Sequence, residues 1–295
     1  MGTESISTHT IDVPGGVLVY DVRQPDAPAA GTRPLVMVGH PMGASGFADL
    51  AARFADRTVV TYDPRGCDRS QVVDAEHTPS RNAEDVHRVI EAVGGGPVDL
   101  FGSSGGAVTG LELAVSHPDD VAVLVAHEPP LLGVLPDAEV AARAYRQVTE
   151  TYQESGFGAG MARFIALTSV DGEFTPDFLR QSAPDPAAFG LPTGDDGSRD
   201  NVLLSGVSDG IVAYQVRPDA LAQARARVVI AAGEESRAQM PGRAAAELAR
   251  LLGSELVVFP SHHGGFVGGD GPYAGQPDAF AARLREVLSA EVPDR

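Results

Sequence analysis

Short continuous apolar runs alternate along most of the chain with segments whose apolar residues recur every three or four positions. The short runs are typical of strands buried on both faces, and the longer period is typical of helices with one buried face. The predicted strands are residues 11–13, 17–20, 35–38, 58–62, 98–101, 121–126, 227–232 and 256–259. This alternation predicts an α/β fold with a mostly parallel central β-sheet flanked by helices.

The strand–helix alternation stops after the sixth predicted strand, 121–126, and resumes at 227–232. Asp137 is expected to cap a helix in the interval, and five apolar residues behind it share one helical face. Those five residues are Ala141, Ala144, Tyr145, Val148 and Tyr152. We therefore predict a helical cap, or lid, inserted after strand 6. The predicted parts are core residues 1–130, cap residues 131–218 and core residues 219–295.

Composition narrows the classes of partner. The formal net charge of −18 disfavours nucleic acid and anionic membrane surfaces, and 43% hydrophobic residues can supply a full core. All 22 basic residues are arginine, which excludes chemistry that needs a catalytic or phosphate-binding lysine. Cys67 is the single cysteine, and neither a signal peptide nor a membrane span is recognisable. A cytoplasmic location is expected.

The segment Gly102–Gly106 reads Gly-Ser-Ser-Gly-Gly between a predicted strand and a predicted helix. This is the G-x-S-x-G pattern, in which a sharp strand-to-helix turn holds the central serine out for attack. Ser104 occupies that centre, and the Gly105 N–H at the helix start is free to face a developing oxyanion. The pattern makes Ser104 a candidate nucleophile.

Together with three further segments, this turn gives the chain a resemblance to the α/β-hydrolase family from about residue 10 to residue 290. The four segments that carry the resemblance are 39–43 (Gly-His-Pro-Met-Gly), 63–70 (Asp-Pro-Arg-Gly-Cys-Asp-Arg-Ser), 102–106 and 260–266 (Pro-Ser-His-His-Gly-Gly-Phe). The resemblance implies the α/β-hydrolase fold and a serine-nucleophile enzyme of the esterase and haloperoxidase-like branch with a helical lid. It implies no cofactor and no metal, and a homodimer is compatible with it.

The resemblance also implies the partners of Ser104. His263 matches the family's histidine position after the last strand, with the adjacent His262 as the alternative base. Met42 and Gly105 would supply the two N–H groups of the oxyanion hole. The other histidines, including His40, His117 and His127, are expected to be loop or surface groups.

The acid of the triad has two candidate locations. Most family members carry it three residues beyond the glycine that ends the strand at 227–232, but Ser236 stands there in this chain. Glu234 and Glu235 lie close to that position. The other family location is the end of the preceding strand, which is Glu128 here, and we favour Glu128 over the alternatives Glu235 and Glu234.

These residues predict a Ser-His-acid hydrolase that cleaves an ester, lactone or thioester of a small apolar substrate through an acyl-enzyme on Ser104. A cofactor-free perhydrolase or a C–C hydrolase would use the same triad. A ligand-binding or nearly inactive protein on the hydrolase scaffold is the alternative from another class. A metal-dependent hydrolase using His262, His263 and Asp270 is disfavoured, because adjacent histidines do not readily share one tetrahedral ion.

Overall fold

The computed structural model describes residues 5–25, 29–73, 77–271 and 273–290. The described strands form one sheet built around the apolar runs of the sequence. They are β1 (Ser5–Val13), β2 (Gly16–Gln24), β3 (Leu35–Val38), β4 (Val59–Tyr62), β5 (Gln71–Val72), β6 (Val98–Ser103), β7 (Val121–His127), β8 (Arg227–Gly233) and β9 (Val257–Phe259). The short β5 has no counterpart in the prediction, so the predicted sixth strand is β7.

The sheet has the order β1-β2-β4-β3-β6-β7-β8-β9, and β5 pairs with β2. Strands β3, β4, β6, β7, β8 and β9 run parallel, whereas β1, β2 and β5 are joined by antiparallel pairs. The fold is therefore the predicted α/β class with a mostly parallel central sheet. Parallel strands end at a common edge, which brings the carboxyl ends of β3, β6, β7 and β8 together.

The described chain forms helices on both faces of this sheet and in the segment between β7 and β8. They are α1 (Ala48–Ala52), α2 (Pro79–Ala92), α3 (Gly105–Ser116), α4 (Ala138–Thr168), α5 (Pro176–Leu179), α6 (Asp209–Val212), α7 (Pro218–Gln223), α8 (Met240–Leu251) and α9 (Pro277–Ser289). Helices α1 and α9 pack on one face, and α2, α3 and α8 pack on the other. None of the described helices combines the length and the apolar character that crossing a bilayer requires.

The chain between β7 and β8, described throughout, forms α4 to α7 together with short 3-10 turns and loops. Helix α4 buries the five apolar residues that the sequence assigns to one face. Asp137 precedes α4, but its side chain does not cap the helix. Its carboxylate instead pairs with Arg243 and accepts a hydrogen bond from the Phe174 N–H. The capping prediction is wrong because the partly buried Arg243 guanidinium binds this carboxylate more strongly than a helix N–H does.

Candidate active site

Ser104 lies on the sharp turn between β6 and α3, with φ of 56° and ψ of −126°. A non-glycine residue with positive φ is strained and is held there by its surroundings. The Ser104 N–H is fixed by the His127 carbonyl at 2.9 Å. A Cβ atom on Gly106 would lie 2.0 Å from the Val38 carbonyl oxygen, so only glycine lets α3 start this close to β3. The local pattern thus forms the predicted turn.

Glu128 follows the last residue of β7 and also has a positive φ, of 50°. Its side chain is fully buried and points towards the neighbouring strand end of β8. One carboxylate oxygen, Oε2, lies 2.5 Å from Nδ1 of His263. The structure therefore brings the favoured acid and the favoured base into direct contact across 135 positions of sequence.

The other oxygen of Glu128 is held by two donors. The Gly233 N–H donates to Oε1 at 2.8 Å, and the Ser236 hydroxyl donates to the same atom. Burial acts to raise the pKa of this carboxyl, but the hydrogen bond and charge of His263, with smaller contributions from His127 and Ser236, lower it to about 2. Glu128 is therefore a carboxylate at neutral pH.

Ser236 is a residue of the candidate site that the sequence did not indicate. It stands at the family's usual acid position and is fully buried, and it serves the acid at the other location as a hydrogen-bond donor. The sequence did place a short polar residue, Ser236, at the position where most family members carry the acid that contacts the histidine. A serine at this position can also donate a hydrogen bond to an acid placed at the other location, as Ser236 does to Glu128.

The alternative base His262 lines the same cavity as His263, but its described hydrogen-bond contacts are with the chain around it. His262 uses Nδ1 to accept a hydrogen bond from the Gly264 N–H, and its Nε2 lies 3.4 Å from the Ala274 carbonyl. Glu235 is exposed and lines the cavity described below, whereas Glu234 is exposed and lies outside that lining. Among the described contacts, Glu128 is the carboxylate within hydrogen-bond distance of His263.

Met42 and Gly105 both line the same cavity as Ser104, on the side where β3 ends. The Met42 thioether packs closely over Gly46, where an added Cβ would lie 2.3 Å from the sulfur. The neighbouring His40 is buried, and its Nε2 lies 3.1 Å from Nδ1 of His77. Burial, assisted by His77, lowers the pKa of His40 to about 3, so this wall carries a neutral imidazole.

The expectation that His127 is a loop or surface group is wrong, whereas His40 lies, as expected, in the loop after β3, although it is buried. His127 is the last residue of β7 and is fully buried within a cage of four phenylalanine rings, those of Phe101, Phe259, Phe266 and Phe280. Neither ring nitrogen has a hydrogen-bond partner among the described residues. Burial lowers the pKa of His127 to about 4. The strand is one residue longer than the apolar run 121–126, and its last residue, His127, points its side chain into the core.

A cavity of about 870 Å³ lies above the carboxyl ends of these strands. Ser104, Gly105, Met42 and His263 line its floor, and residues of α4 and α6 line the opposite wall. Most of the lining is apolar, including Phe164, Ile165, Leu203, Ile211 and Val212. Glu235 is the one Asp, Glu, Lys or Arg side chain among the described lining residues. The arrangement can hold an uncharged apolar molecule over Ser104.

The family model for the alpha/beta hydrolase fold matches residues 34–270. The chain therefore belongs to the α/β-hydrolase family. The match spans β3 to the loop after β9, and so includes every residue of the cavity floor. The fold and the family resemblance predicted from the four sequence segments are confirmed.

Three similar proteins illustrate this membership. A protein of Bacillus subtilis (strain 168) named "Uncharacterized hydrolase YraK" is 26% identical over 294 residues, covering 97% of this chain and 98% of that protein. The solved enol-lactonase from Burkholderia xenovorans LB400 superposes with a TM-score of 0.65 at 18% identity, covering 96% of this chain and all of that one. The carboxylesterase CesB from Bacillus subtilis superposes with a TM-score of 0.59 at 16% identity, covering 98% and 93%.

Proposed function

We propose that this α/β hydrolase is a serine hydrolase that cleaves a carboxylic ester, lactone or thioester of a small apolar substrate through an acyl-enzyme on Ser104. The contact of 2.5 Å between Glu128 Oε2 and His263 Nδ1, on the floor of the cavity that Ser104 also lines, carries the proposal. It supports a triad in which Ser104 is the nucleophile, His263 the base and Glu128 the acid.

The first half of the reaction forms the acyl-enzyme. Because Nδ1 of His263 engages Glu128, its Nε2 is the nitrogen left to accept the Ser104 hydroxyl proton. The Ser104 oxygen attacks the substrate carbonyl carbon, and the N–H groups of Met42 and Gly105 stabilise the resulting oxyanion. Removing one such donor typically costs about 10²–10³ in rate. The intermediate collapses as His263 returns the proton to the departing oxygen or sulfur.

The second half releases the acyl group. Water enters the cavity and gives a proton to His263, and the hydroxide equivalent attacks the acyl carbonyl. Collapse of this second intermediate returns the proton to Ser104 and frees the carboxylic acid. The buried Glu128 carboxylate keeps the imidazole in one tautomer and stabilises the imidazolium in both halves.

The cavity lining supports an uncharged acyl group. No Lys or Arg side chain occurs among the described lining residues, so a substrate carboxylate would lose its hydration without gaining a counter-ion. The enol-lactonase and the carboxylesterase CesB act on lactone and ester bonds according to their names, and both bond types fit this chemistry. A neutral aliphatic or aromatic ester or lactone is therefore the proposed substrate class.

We also propose that residues 131–218 act as a lid. Tyr145 and Phe164 of α4 and Ile211 of α6 face the floor residues across the cavity. A substrate of the proposed class would bury its apolar part against these side chains, which excludes bulk water from that part and leaves the carbonyl at the floor open to the attacking water.

Two measurements test the function together. Purified protein should hydrolyse p-nitrophenyl butyrate and react covalently with a fluorophosphonate probe, and Ser104→Ala should lose both while keeping its circular dichroism spectrum. Ser103→Ala is the matched control for labelling at the adjacent serine. Absence of both signals in folded wild-type protein would favour the ligand-binding alternative, and labelling that persists in Ser104→Ala would overturn the assigned nucleophile.

A further inference from the structure

Two histidines and an aspartate meet far from the cavity, at the opposite end of α3. His87 lies in α2, His117 directly follows α3, and Asp120 directly precedes β7. Because α3 starts beside Ser104 and rises by 1.5 Å per residue, its far end lies about 18 Å from the serine. We propose that this group, called here the His87 cluster (His87, His117 and Asp120), binds a divalent transition-metal ion of the zinc class.

The geometry of the His87 cluster supports this site. One ligand atom from each of the three residues lies within 4.8 Å of the other two. Nδ1 of His87 lies 2.7 Å from Oδ2 of Asp120, and the two imidazole rings stack with centroids 3.9 Å apart. Zinc bonds of about 2.0–2.1 Å place tetrahedral ligands about 3.3 Å apart, so binding requires the rings to tilt out of the stack and draw together. The side chains of His87 and His117 are 22% and 24% exposed, which leaves them room to do so.

Further carboxylates surround the cluster. Oε2 of Glu91 lies 3.6 Å from Nε2 of His87, and Oε2 of Glu84 lies 3.3 Å from Nε2 of His117. Arg88 also reaches this group and pairs with Glu84 at 3.0 Å. Three carboxylates thus face two imidazoles and one guanidinium, so the local charge is negative when the histidines are neutral.

The carboxylates and imidazoles that converge here are ligand types that a transition-metal dication prefers. A single dication supplies two positive charges at one point and accepts lone pairs from both rings. Imidazole together with carboxylate selects zinc, cobalt, nickel or copper over magnesium and calcium, which prefer all-oxygen sites.

The bound ion would act on the fold and not on the reaction. It would link three segments that are distant along the chain, namely α2, the end of α3 and the start of β7. An ion that binds the folded chain stabilises it by mass action. Removal of the ion should therefore lower the unfolding temperature and leave ester hydrolysis by the folded enzyme unchanged.

Calorimetric titration and thermal unfolding of the full-length protein, first stripped with EDTA and then dialysed free of it, test the site. We expect one Zn²⁺ to bind per chain and the unfolding temperature to rise, with no rise in Mg²⁺ or Ca²⁺ at equal concentration. His87→Gln and His117→Gln should each abolish the 1:1 binding, and His9→Gln, which removes an exposed histidine, should retain it. Each variant is compared with itself with and without Zn²⁺, so that a change in its intrinsic stability does not enter the result.

Two outcomes would overturn the site. The first is the absence of saturable Zn²⁺ binding by the wild type. The second is unchanged 1:1 binding by the His87→Gln/His117→Gln double variant, which would show that the ion binds elsewhere in the chain. Hydrolysis of p-nitrophenyl butyrate by the stripped protein reports separately on the proposed function, because neither outcome depends on it.

Discussion

The Ser236 hydroxyl donates a hydrogen bond to Oε1 of Glu128, although the two residues belong to different strand ends 108 positions apart. In the proposed triad the acid is Glu128 at the end of β7, and the Ser236 hydroxyl is one of the two groups that hold its Oε1. The Gly233 N–H is the second support on the same oxygen. The carboxylate therefore meets His263 through Oε2 with its other oxygen held in place.

Ser236→Ala tests this support. Loss of the hydroxyl removes one of the donors that lower the pKa of Glu128, but the contact with His263 remains and keeps the carboxylate ionised at pH 7. We expect kcat for p-nitrophenyl butyrate to fall by about 10-fold, with KM little changed, because positioning of the acid acts on the transition state. The exposed Ser254→Ala is the control. A KM effect without a kcat effect would contradict the positioning role.

If Glu128 is the acid, a carboxylate introduced at position 236 should recover part of the activity that is lost when Glu128 is removed. Glu128→Ala should lower kcat by about 10⁴, the magnitude seen when a triad acid is substituted. Adding Ser236→Asp to that variant should recover part of the activity, because the new carboxylate starts from the family's usual acid position. Ser236→Asp alone should be destabilised, since it buries a second carboxylate beside the first. If Glu128→Ala and the Glu128→Ala/Ser236→Asp double variant have equal activities, a carboxylate at position 236 does not contact His263.

Much of this site could be predicted from the sequence because its determinants are local. The glycines around Ser104 and the apolar run before Glu128 each specify a strand end, and parallel strands bring such ends together. The contact of Ser236 could not be predicted because its position indicates a polar group near the site, but a serine side chain does not specify which residue it contacts. His127 was misassigned because the proline residues after Glu128 resemble the start of a loop, and packing decides where β7 ends. The His87 cluster could not be predicted, because its three residues lie in different elements and their spacing in the sequence matches no metal-binding motif.

Burial of His127 makes the stability of the fold depend on pH, and a substitution at this position should remove that dependence. An unfolded histidine binds a proton near pH 6.5, whereas burial lowers the pKa of His127 to about 4. Between those values the unfolded chain binds a proton that the folded chain does not, so stability falls as the pH decreases. For this residue alone the loss at pH 5 is about 2 kcal/mol.

His127→Phe should abolish that contribution, because phenylalanine does not titrate and matches the aromatic cage. It also removes two buried nitrogens without partners among the described residues, whose burial costs about 1–3 kcal/mol. Urea unfolding should show the gain over wild type increasing from pH 8 to pH 5. His9→Gln at an exposed position should follow the wild-type profile. Parallel profiles for wild type and His127→Phe would contradict a neutral buried imidazole.

The charge of the cavity predicts its substrate preference. Glu235 is exposed at the lining, and no Arg or Lys stands among the described residues there. We expect p-nitrophenyl butyrate to be hydrolysed with a kcat/KM at least about 10-fold higher than the p-nitrophenyl monoester of succinic acid, because the free carboxylate of the latter meets a negative side chain. Glu235→Arg should narrow this ratio by improving the succinate ester, whereas Glu234→Arg, adjacent in sequence but outside the lining, should leave it nearly unchanged. If both variants shift the ratio equally, the overall charge of −18 and not the cavity governs the selection.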